Sequence, residues 1–179
     1  MNAPLQRVLR EAFPLVLSAI FLLAAANAGE KRVGGDGGAI AQAIAGAAPG
    51  DTIIIEAGTY KFPGVEMKQQ AKDNPITVKG EGKVVLDLGG ASKSGITVNA
   101  GTGITIANLE ICNLNGQHNA AIKFTGGANN NVAEDCITHA CGKQGGPGAG
   151  IYFKGAHHNI VRRCTSYDNY TGISFIAGD

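Results

Sequence analysis

The chain contains the stretch Gly150-Ile151-Tyr152-Phe153, whose pattern of small residue, Ile, any residue and large apolar residue occurs four times. The other copies are Gly95-Ile96-Thr97-Val98, Ala121-Ile122-Lys123-Phe124 and Gly172-Ile173-Ser174-Phe175. The Ile positions are 26, 29 and 22 residues apart. Because alternate side chains of a strand face the same way, we expect the Ile and the large apolar residue of each copy to point inward.

A second marker follows each of the first three copies at a nearly constant distance. Leu109, Cys136 and Cys164 lie 13, 14 and 13 residues after their Ile. Short strands at this period are typical of solenoids, in which one unit cannot bury its apolar face alone. We therefore expect coils stacked about 4.8 Å apart. The sequence predicts an all-β fold, a parallel β-helix or β-solenoid.

The repeat gives two residue types a structural interpretation. Cys136 and Cys164 occupy the position held by Leu109 in an earlier coil, and we interpret them as core thiols, with a disulfide as the alternative. Asn131 and Asn159 each lie five residues before their Cys. Asn tolerates the left-handed conformation and bonds to neighbouring backbone groups. We expect these two Asn residues to form a stacked structural ladder at a turn.

The first half of the chain predicts a short cap followed by strands. The segment Ala39–Ala45 reads as an amphipathic helix with Ile40 and Ile44 on one face, ending at Gly46. The predicted strands are Thr52–Ile55, stopped by Gly58, then Ile76–Val78 and Val84–Leu86.

The first 28 residues have the layout of a secretory signal peptide. Two arginines precede an apolar run of 14 residues, 13–26, and Ala26-Asn27-Ala28 is a small-x-small cleavage motif. Such a run is too short to span a bilayer comfortably. We expect cleavage before Gly29, a secreted or periplasmic mature domain over 29–179, and no stable membrane insertion after cleavage.

Charge and cysteine content limit which partners and disulfides we expect for the mature chain. Cleavage removes two arginines and one glutamate from totals of 15 basic and 14 acidic residues, which leaves 13 of each. Nucleic-acid binding usually demands a basic surface, so we expect no nucleic-acid partner. Export permits disulfides, and a bond between Cys112 and Cys141 is an alternative to free thiols.

Three stretches resemble coils of the pectate-lyase-like superfamily of right-handed parallel β-helices. They are Gly50-Asp51-Thr52-Ile53-Ile54-Ile55-Glu56-Ala57-Gly58-Thr59-Tyr60, Asn74-Pro75-Ile76-Thr77-Val78-Lys79-Gly80 with Val84-Val85-Leu86-Asp87, and His158-Asn159-Ile160-Val161-Arg162-Arg163-Cys164-Thr165-Ser166-Tyr167-Asp168-Asn169. Their order is similar to that in polysaccharide lyases of the pectate lyase 9 and chondroitinase B kinds. The resemblance covers about residues 35–179. It implies a right-handed β-helix with a short N-terminal capping helix.

The same resemblance bears on the length of the protein. Such enzymes continue through more coils, and those later coils usually carry the catalytic base and metal ligands. We therefore expect an N-terminal fragment, truncated at its C-terminal end, with little activity by itself. A complete short β-helix closed by a partner is the alternative.

Outward residues of the repeated strands are the candidate substrate-binding residues. Lys123, Tyr152 and Lys154 are expected to cluster on one face. Ammonium groups there would pair with uronate carboxylates, and the Tyr ring would cover a sugar face. An ordinary solvated strand face is the alternative. His118 and His139, in the loops that precede these strands, are further candidates.

The resemblance implies an exported enzyme that cleaves acidic, pectate-like polysaccharide by β-elimination. Ca²⁺ or a basic residue neutralises the uronate carboxylate, and a Lys, Arg or His base removes the C5 proton. Asp168 is the candidate Ca²⁺ ligand, with a turn-forming role beside Asn169 as the alternative. A non-catalytic glycan-binding or structural surface β-helix and a uronate epimerase are alternative functions, because fold alone does not choose among them.

Overall fold

The structure is a computed structural model that describes residues 28–142 and 148–176. This part of the chain contains one helix and sixteen short strands. The elements are β1 (Glu30–Val33), α1 (Gly37–Ala45), β2 (Thr52–Ile55), β3 (Gly58–Lys61), β4 (Val65–Met67), β5 (Ile76–Gly80), β6 (Val84–Ala91), β7 (Ile96–Asn99), β8 (Ile104–Ala107), β9 (Glu110–Leu114), β10 (Ala120–Thr125), β11 (Val132–Glu134), β12 (Ile137–Cys141), β13 (Ala149–Lys154), β14 (Ile160–Arg162), β15 (Thr165–Tyr167) and β16 (Thr171–Ile176).

The strands form three parallel sheets, and the chain passes from one sheet to the next in a fixed order. Sheet A has the order β1-β2-β5-β8-β11-β14, sheet B the order β3-β6-β9-β12-β15, and sheet C the order β4-β7-β10-β13-β16. From β2 onward, each coil contributes one strand to each sheet. The predicted all-β parallel solenoid with a short N-terminal helix is confirmed.

The helix α1 covers the start of the solenoid. It begins at Gly37 and not at Ala39, because the side chain of Asp36 caps it by accepting a hydrogen bond from Ala39 N at 2.8 Å. Ile40 and Ile44 are fully buried, as the sequence predicted. Gly37 is required for close packing, since a Cβ there would lie 2.0 Å from the carbonyl oxygen of Lys61.

The repeated Ile residues form one continuous column inside sheet C. Ile96, Ile122, Ile151 and Ile173 are register partners in successive strands. The first three are fully buried, but Ile173 is 40% exposed. The expectation of a fully buried column therefore holds except at β16, because no strand within 28–142 or 148–176 covers β16 on its far side.

A second interior column consists of stacked aromatic rings. The ring centroids of Phe124 and Phe153 lie 5.0 Å apart, and those of Phe153 and Phe175 lie 4.6 Å apart. Phe124 is fully buried, whereas Phe175 in β16 is 73% exposed. The rings of Phe124 and Phe153 are thus each covered by the next coil, as the spacing of the repeat predicted, whereas Phe175 in the edge strand β16 is not.

The predicted Asn ladder is confirmed by its hydrogen bonds. Asn131 is fully buried; its Oδ1 accepts from Ile104 N at 2.9 Å and its Nδ2 donates to Gly101 O at 3.0 Å. The same Nδ2 donates to Asn159 Oδ1 at 3.0 Å. The left-handed residue of each turn is the preceding one, Asn130 in the first case, with φ 54°. The amides therefore pair with backbone groups of neighbouring coils.

A single left-handed residue makes the bend from sheet A to sheet B in three successive coils. Asn108, Asp135 and Arg163 have φ values of 51°, 53° and 53°. Asn and Asp adopt this conformation more readily than Arg. Arg163 Nη2 donates to Asp135 Oδ2 at 2.7 Å, so the bend of one coil holds the side chain of the next.

Three strands of the first half, β1, β3 and β4, were not predicted. The predicted strand Thr52–Ile55 is confirmed as β2 and ends before Gly58, but Gly58 is also the first residue of β3. Met67 of β4 pairs with Val98 and is fully buried, although its strand lacks the repeated pattern. Strands of three or four residues offer too few positions for alternation to be recognised.

Within the described residues, no helix is long and apolar enough to cross a membrane. The predicted signal peptide lies, except for Ala28, outside those residues.

Candidate functional site

The outward face of sheet C carries a row of polar residues, one from each strand. Glu66, Thr97, Lys123, Tyr152 and Ser174 are register partners in β4, β7, β10, β13 and β16. We call this set the sheet C row. It lies on the same strands as the Ile column, one residue further along the chain. The predicted outward direction of Lys123 and Tyr152 is thus met.

Lys123 is the central charge of the sheet C row. Its Nζ donates to the carbonyl oxygen of His118 at 3.0 Å and lies 5.6 Å from the centre of the Tyr152 ring. Burial, followed by repulsion from Lys154, lowers the pKa of the Lys123 ammonium below its usual value, while Glu66 opposes this shift. Lys123 therefore gives up its proton more readily than a lysine in water.

Two other predicted residues lie beside Lys123. Lys154 is exposed at the end of β13, where it pairs in register with Thr125. His118 is exposed in the loop between β9 and β10, with φ 60°, and its carbonyl group holds the Lys123 ammonium. The structure therefore brings together four of the five predicted substrate-binding residues, Lys123, Tyr152, Lys154 and His118.

An open cleft of about 420 Å³ lies along the first three strands of this face. We call it the sheet C cleft; its polar lining includes Glu66, Lys93, Thr97, Asn99, Asn119 and Lys123. Two ammonium groups with amide and hydroxyl donors around them suit a ligand that carries carboxylates and hydroxyl groups. The cleft has the chemistry that an acidic sugar requires.

The single carboxylate of this cleft is held by its neighbours. Glu66 Oε1 accepts from Lys68 Nζ at 2.8 Å and from Asn99 Nδ2 at 3.0 Å. These hydrogen bonds, that from Lys68 first, lower the pKa of Glu66 below its usual value. Glu66 therefore stays ionised and positions Asn99 at the wall of the cleft.

Tyr152 does not present its ring in the way the sequence suggested. Although it points outward, only 5% of the residue is exposed. It packs in one small cluster with Ala120 and Ala149, whose short side chains leave room for the ring. The expectation that the Tyr152 ring is open to a sugar face is therefore not met. Its contact with the site is through the Lys123 ammonium.

His139 belongs to a different surface. It lies on the outward face of sheet B, where its Nε2 is 3.1 Å from Glu110 Oε1 and its ring stacks on Tyr167 at 4.9 Å. Glu110 also lies 3.5 Å from Lys83 Nζ and lines a separate cleft of about 370 Å³. His139 is thus not part of the site that contains Lys123.

Asp168 follows β15 in the bend toward sheet C, with φ 54°. In the segments 28–142 and 148–176, no three His, Cys, Asp or Glu side chains lie close enough together to hold a metal ion. We therefore derive no catalytic step through Ca²⁺, and Ca²⁺ binding at Asp168 stays a prediction.

All four cysteines are free thiols. Cys136 is fully buried, as expected of a core thiol. Cys112 pairs in register with His139, whereas Cys141 pairs with Leu114, so these two cysteines are not register partners and the alternative disulfide is not formed. Burial raises the pKa of Cys112 to about 11 and that of Cys141 to about 12, which keeps both protonated at neutral pH.

Sequence reasoning missed several residues of the sheet C cleft. Glu66 was missed because β4 was not recognised as a strand of the repeat. Lys93 and Asn119 precede β7 and β10 at the same bend of successive coils, within five residues of the repeated Ile. Both residues lie shortly before a repeated Ile, and this shared position in the repeat could have identified them.

The comparisons with known proteins give one match. The family model of the Pel9A-like, right-handed β-helix region matches residues 24–175. No curated protein and no solved structure matches the chain significantly. The match covers most of the chain, including every strand of the three sheets except the last residue of β16. The chain therefore belongs to the Pel9A-like family of right-handed β-helices.

Proposed function

We propose that this protein is exported and acts on acidic polysaccharide, with the sheet C cleft as a binding site for uronate residues. The observation that carries the proposal is the pair Lys93 and Lys123 in an open cleft on a Pel9A-like β-helix. Family membership supports a polysaccharide substrate, and the two ammonium groups favour an acidic one.

The proposed reaction is β-elimination. A uronate carboxylate paired with the Lys93 ammonium loses part of its negative charge, which makes the neighbouring C5 proton more acidic. A base removes that proton and the C4 oxygen leaves, giving an unsaturated sugar. Lys123 is the proposed base of the sheet C cleft, because burial and the neighbouring Lys154 lower the pKa of its ammonium group.

The first test is activity of the full-length protein. It is incubated with polygalacturonate, alginate or chondroitin, and the ultraviolet absorbance of unsaturated products is followed. A rise on one polymer supports the lyase. Saturable binding without product identifies a non-catalytic glycan-binding β-helix. A change in uronate composition without chain cleavage identifies an epimerase. Neither binding nor a change in any acidic polymer would refute an acidic-glycan function.

The second test locates the site. Lys123→Ala and Lys93→Ala should each weaken binding of the acidic polymer by about tenfold, the loss of one charge-assisted contact. Lys79→Ala is the matched control, because Lys79 is a partly exposed lysine on β5 of sheet A. Equal losses in all three variants would mean that binding follows overall charge and that the sheet C cleft is not the site.

A further inference from the structure

The carboxylate of Asp51 is a fully buried charge at the N-terminal end of the solenoid. Its Oδ2 accepts from Lys31 Nζ at 2.5 Å and from Ala48 N at 2.7 Å. Its Oδ1 accepts from Gly29 N at 3.2 Å. The contact with Gly29 is thus the longest of the three and involves a neutral amide donor.

Gly29 is held in place independently of the residue before it. Thr52 N donates to Gly29 O at 3.0 Å, and strand β1 begins pairing with β2 at the next residue, Glu30. Gly29 is half-buried, whereas Ala28 is exposed. The nitrogen of Gly29 therefore stays beside Asp51 whatever precedes it, and the Ala28–Gly29 bond lies at the surface. This is the bond that the sequence predicts a signal peptidase to cut.

We propose that removal of the signal peptide before Gly29 converts the Gly29 nitrogen into an α-ammonium group that forms a buried ion pair with Asp51. In this step, a signal peptidase hydrolyses the Ala28–Gly29 bond. Water supplies the oxygen of the new Ala28 carboxylate, and the released amine is mainly protonated at neutral pH. Cleavage thus replaces a neutral donor by a cation at a position that already faces a buried anion.

The new contact is stronger than the amide contact for two reasons. A charge-assisted hydrogen bond is roughly twice as strong as a neutral one, and ammonium has three donors that can turn toward Oδ1. The second partner, the Asp51 carboxylate, is already ionised. Burial by itself raises the pKa of Asp51, but hydrogen bonds from Lys31, Ala48 and Gly29 outweigh it, so the pKa of Asp51 lies below its usual value and the group stays ionised.

The consequence is a mature protein that is more stable than its precursor, independently of any sugar ligand. The first test expresses the full chain with its leader in an exporting bacterium and determines the N-terminus of the exported protein by intact mass. The expected N-terminus is Gly29. A mature chain that starts at any other residue would overturn the proposal, because the ammonium group would then not lie at Asp51.

The second test compares stability by urea denaturation. The exported protein is compared with a form that retains Asn27 and Ala28, and with the exported protein after α-amine-selective acetylation. Both modified forms should have a folding equilibrium constant about tenfold smaller, since each returns a neutral donor to Asp51. Equal stability of all three forms refutes the ion pair.

The variant Asp51→Asn supplies the control. In that background, extension and acetylation should have no effect on stability, because the anion is absent. A tenfold effect that persists in Asp51→Asn would assign it to the extension itself and overturn the proposal. If Asp51→Asn does not fold, acetylation of the exported protein decides the question by itself.

Discussion

The Ile column and the sheet C row lie on the same strands, one residue apart, but they follow different rules. The four repeats place an isoleucine at each position of the Ile column, and each except Ile173 is covered by the next coil. The sheet C row, by contrast, has a different side chain in each strand. From β4 to β16 its functional groups are a carboxylate, a hydroxyl, an ammonium group, a phenol and a hydroxyl. Stacking thus requires apolar side chains at the inward positions and leaves the chemistry of the outward positions free to vary.

The difference has a physical origin in the environment of each face. An inward side chain must fill the space above one coil and below the next, and a charge there has no water or partner. An outward side chain keeps its hydration on one side, so only its cross-coil neighbours constrain it. Function can therefore change along the outside without any change in the core.

The largest effect is expected when a charge is placed in the Ile column. Ile151→Asp should lower the free energy of unfolding by more than about 4 kcal/mol and prevent folding, because it buries an unpaired carboxylate. Circular dichroism and thermal melting measure this. The control is Ser174→Asp, an outward position of β16, which should keep the native spectrum. A native melting curve for Ile151→Asp would contradict the claim that inward positions exclude a charge that outward positions tolerate.

The next largest effect is expected at the buried amide of the Asn ladder, Asn131. Asn131→Ala should lower the free energy of unfolding by about 3 kcal/mol, because it leaves Ile104 N buried without a side-chain acceptor and removes one of the two donors to Gly101 O. Asn159→Ala, at a half-buried position of the same ladder, should cost less. Urea denaturation of the two variants gives the comparison. Equal losses of unfolding free energy in the two variants would mean that the contribution of each Asn does not depend on its burial.

A smaller effect is expected from the buried carboxylate of Asp51. Its pKa in the folded protein lies below the unfolded value of about 3.9, so its contribution to stability is complete above that pH. The contribution is lost as the pH falls through the folded pKa. Asp51→Asn should lower the free energy of unfolding at pH 7 by about 2 kcal/mol and flatten its decline in acid.

The control for this acid dependence is Asp135→Asn, on the outside of the solenoid. The pKa of Asp135 is also lowered, by its hydrogen bond with Arg163, but the group is exposed and its ion pair is screened by water. Urea denaturation between pH 2 and pH 7 should therefore show a smaller change for Asp135→Asn than for Asp51→Asn. The reverse order would mean that the exposed ion pair is the stronger one.

The smallest effect on stability is expected in the sheet C row. Lys123→Ala should change the free energy of unfolding by no more than about 0.5 kcal/mol, because Lys123 is an outward residue whose side chain donates a hydrogen bond to the backbone oxygen of the exposed His118. Phe124→Ala, one residue further on, should cost about 3 kcal/mol or more, because it opens a cavity in the ring column. Thermal melting compares the two. Equal losses would show that Lys123 is structural.

The candidate site was predictable only in part. Lys123 and Lys154 could be assigned to one face, because alternation along a strand is local. Lys93 and Glu66 join them from other coils, and the loops that set their positions differ in length. The burial of Tyr152 could not be read from its own strand, since Ala120 of the preceding coil helps to make room for its ring. His139 was grouped with Lys123 by chain position, yet the bend between sheets places it on another surface.

The sequence by itself determined the solenoid, because a two-residue alternation repeated at a regular period allows each apolar face to be buried only by a neighbouring coil. It also determined which residues point inward. Only the tertiary structure decided which outward residues share a surface, and it alone placed the nitrogen of Gly29 beside Asp51. Contacts between coils join residues about 20 to 30 positions apart, and the register of those coils depends on closure of the whole turn.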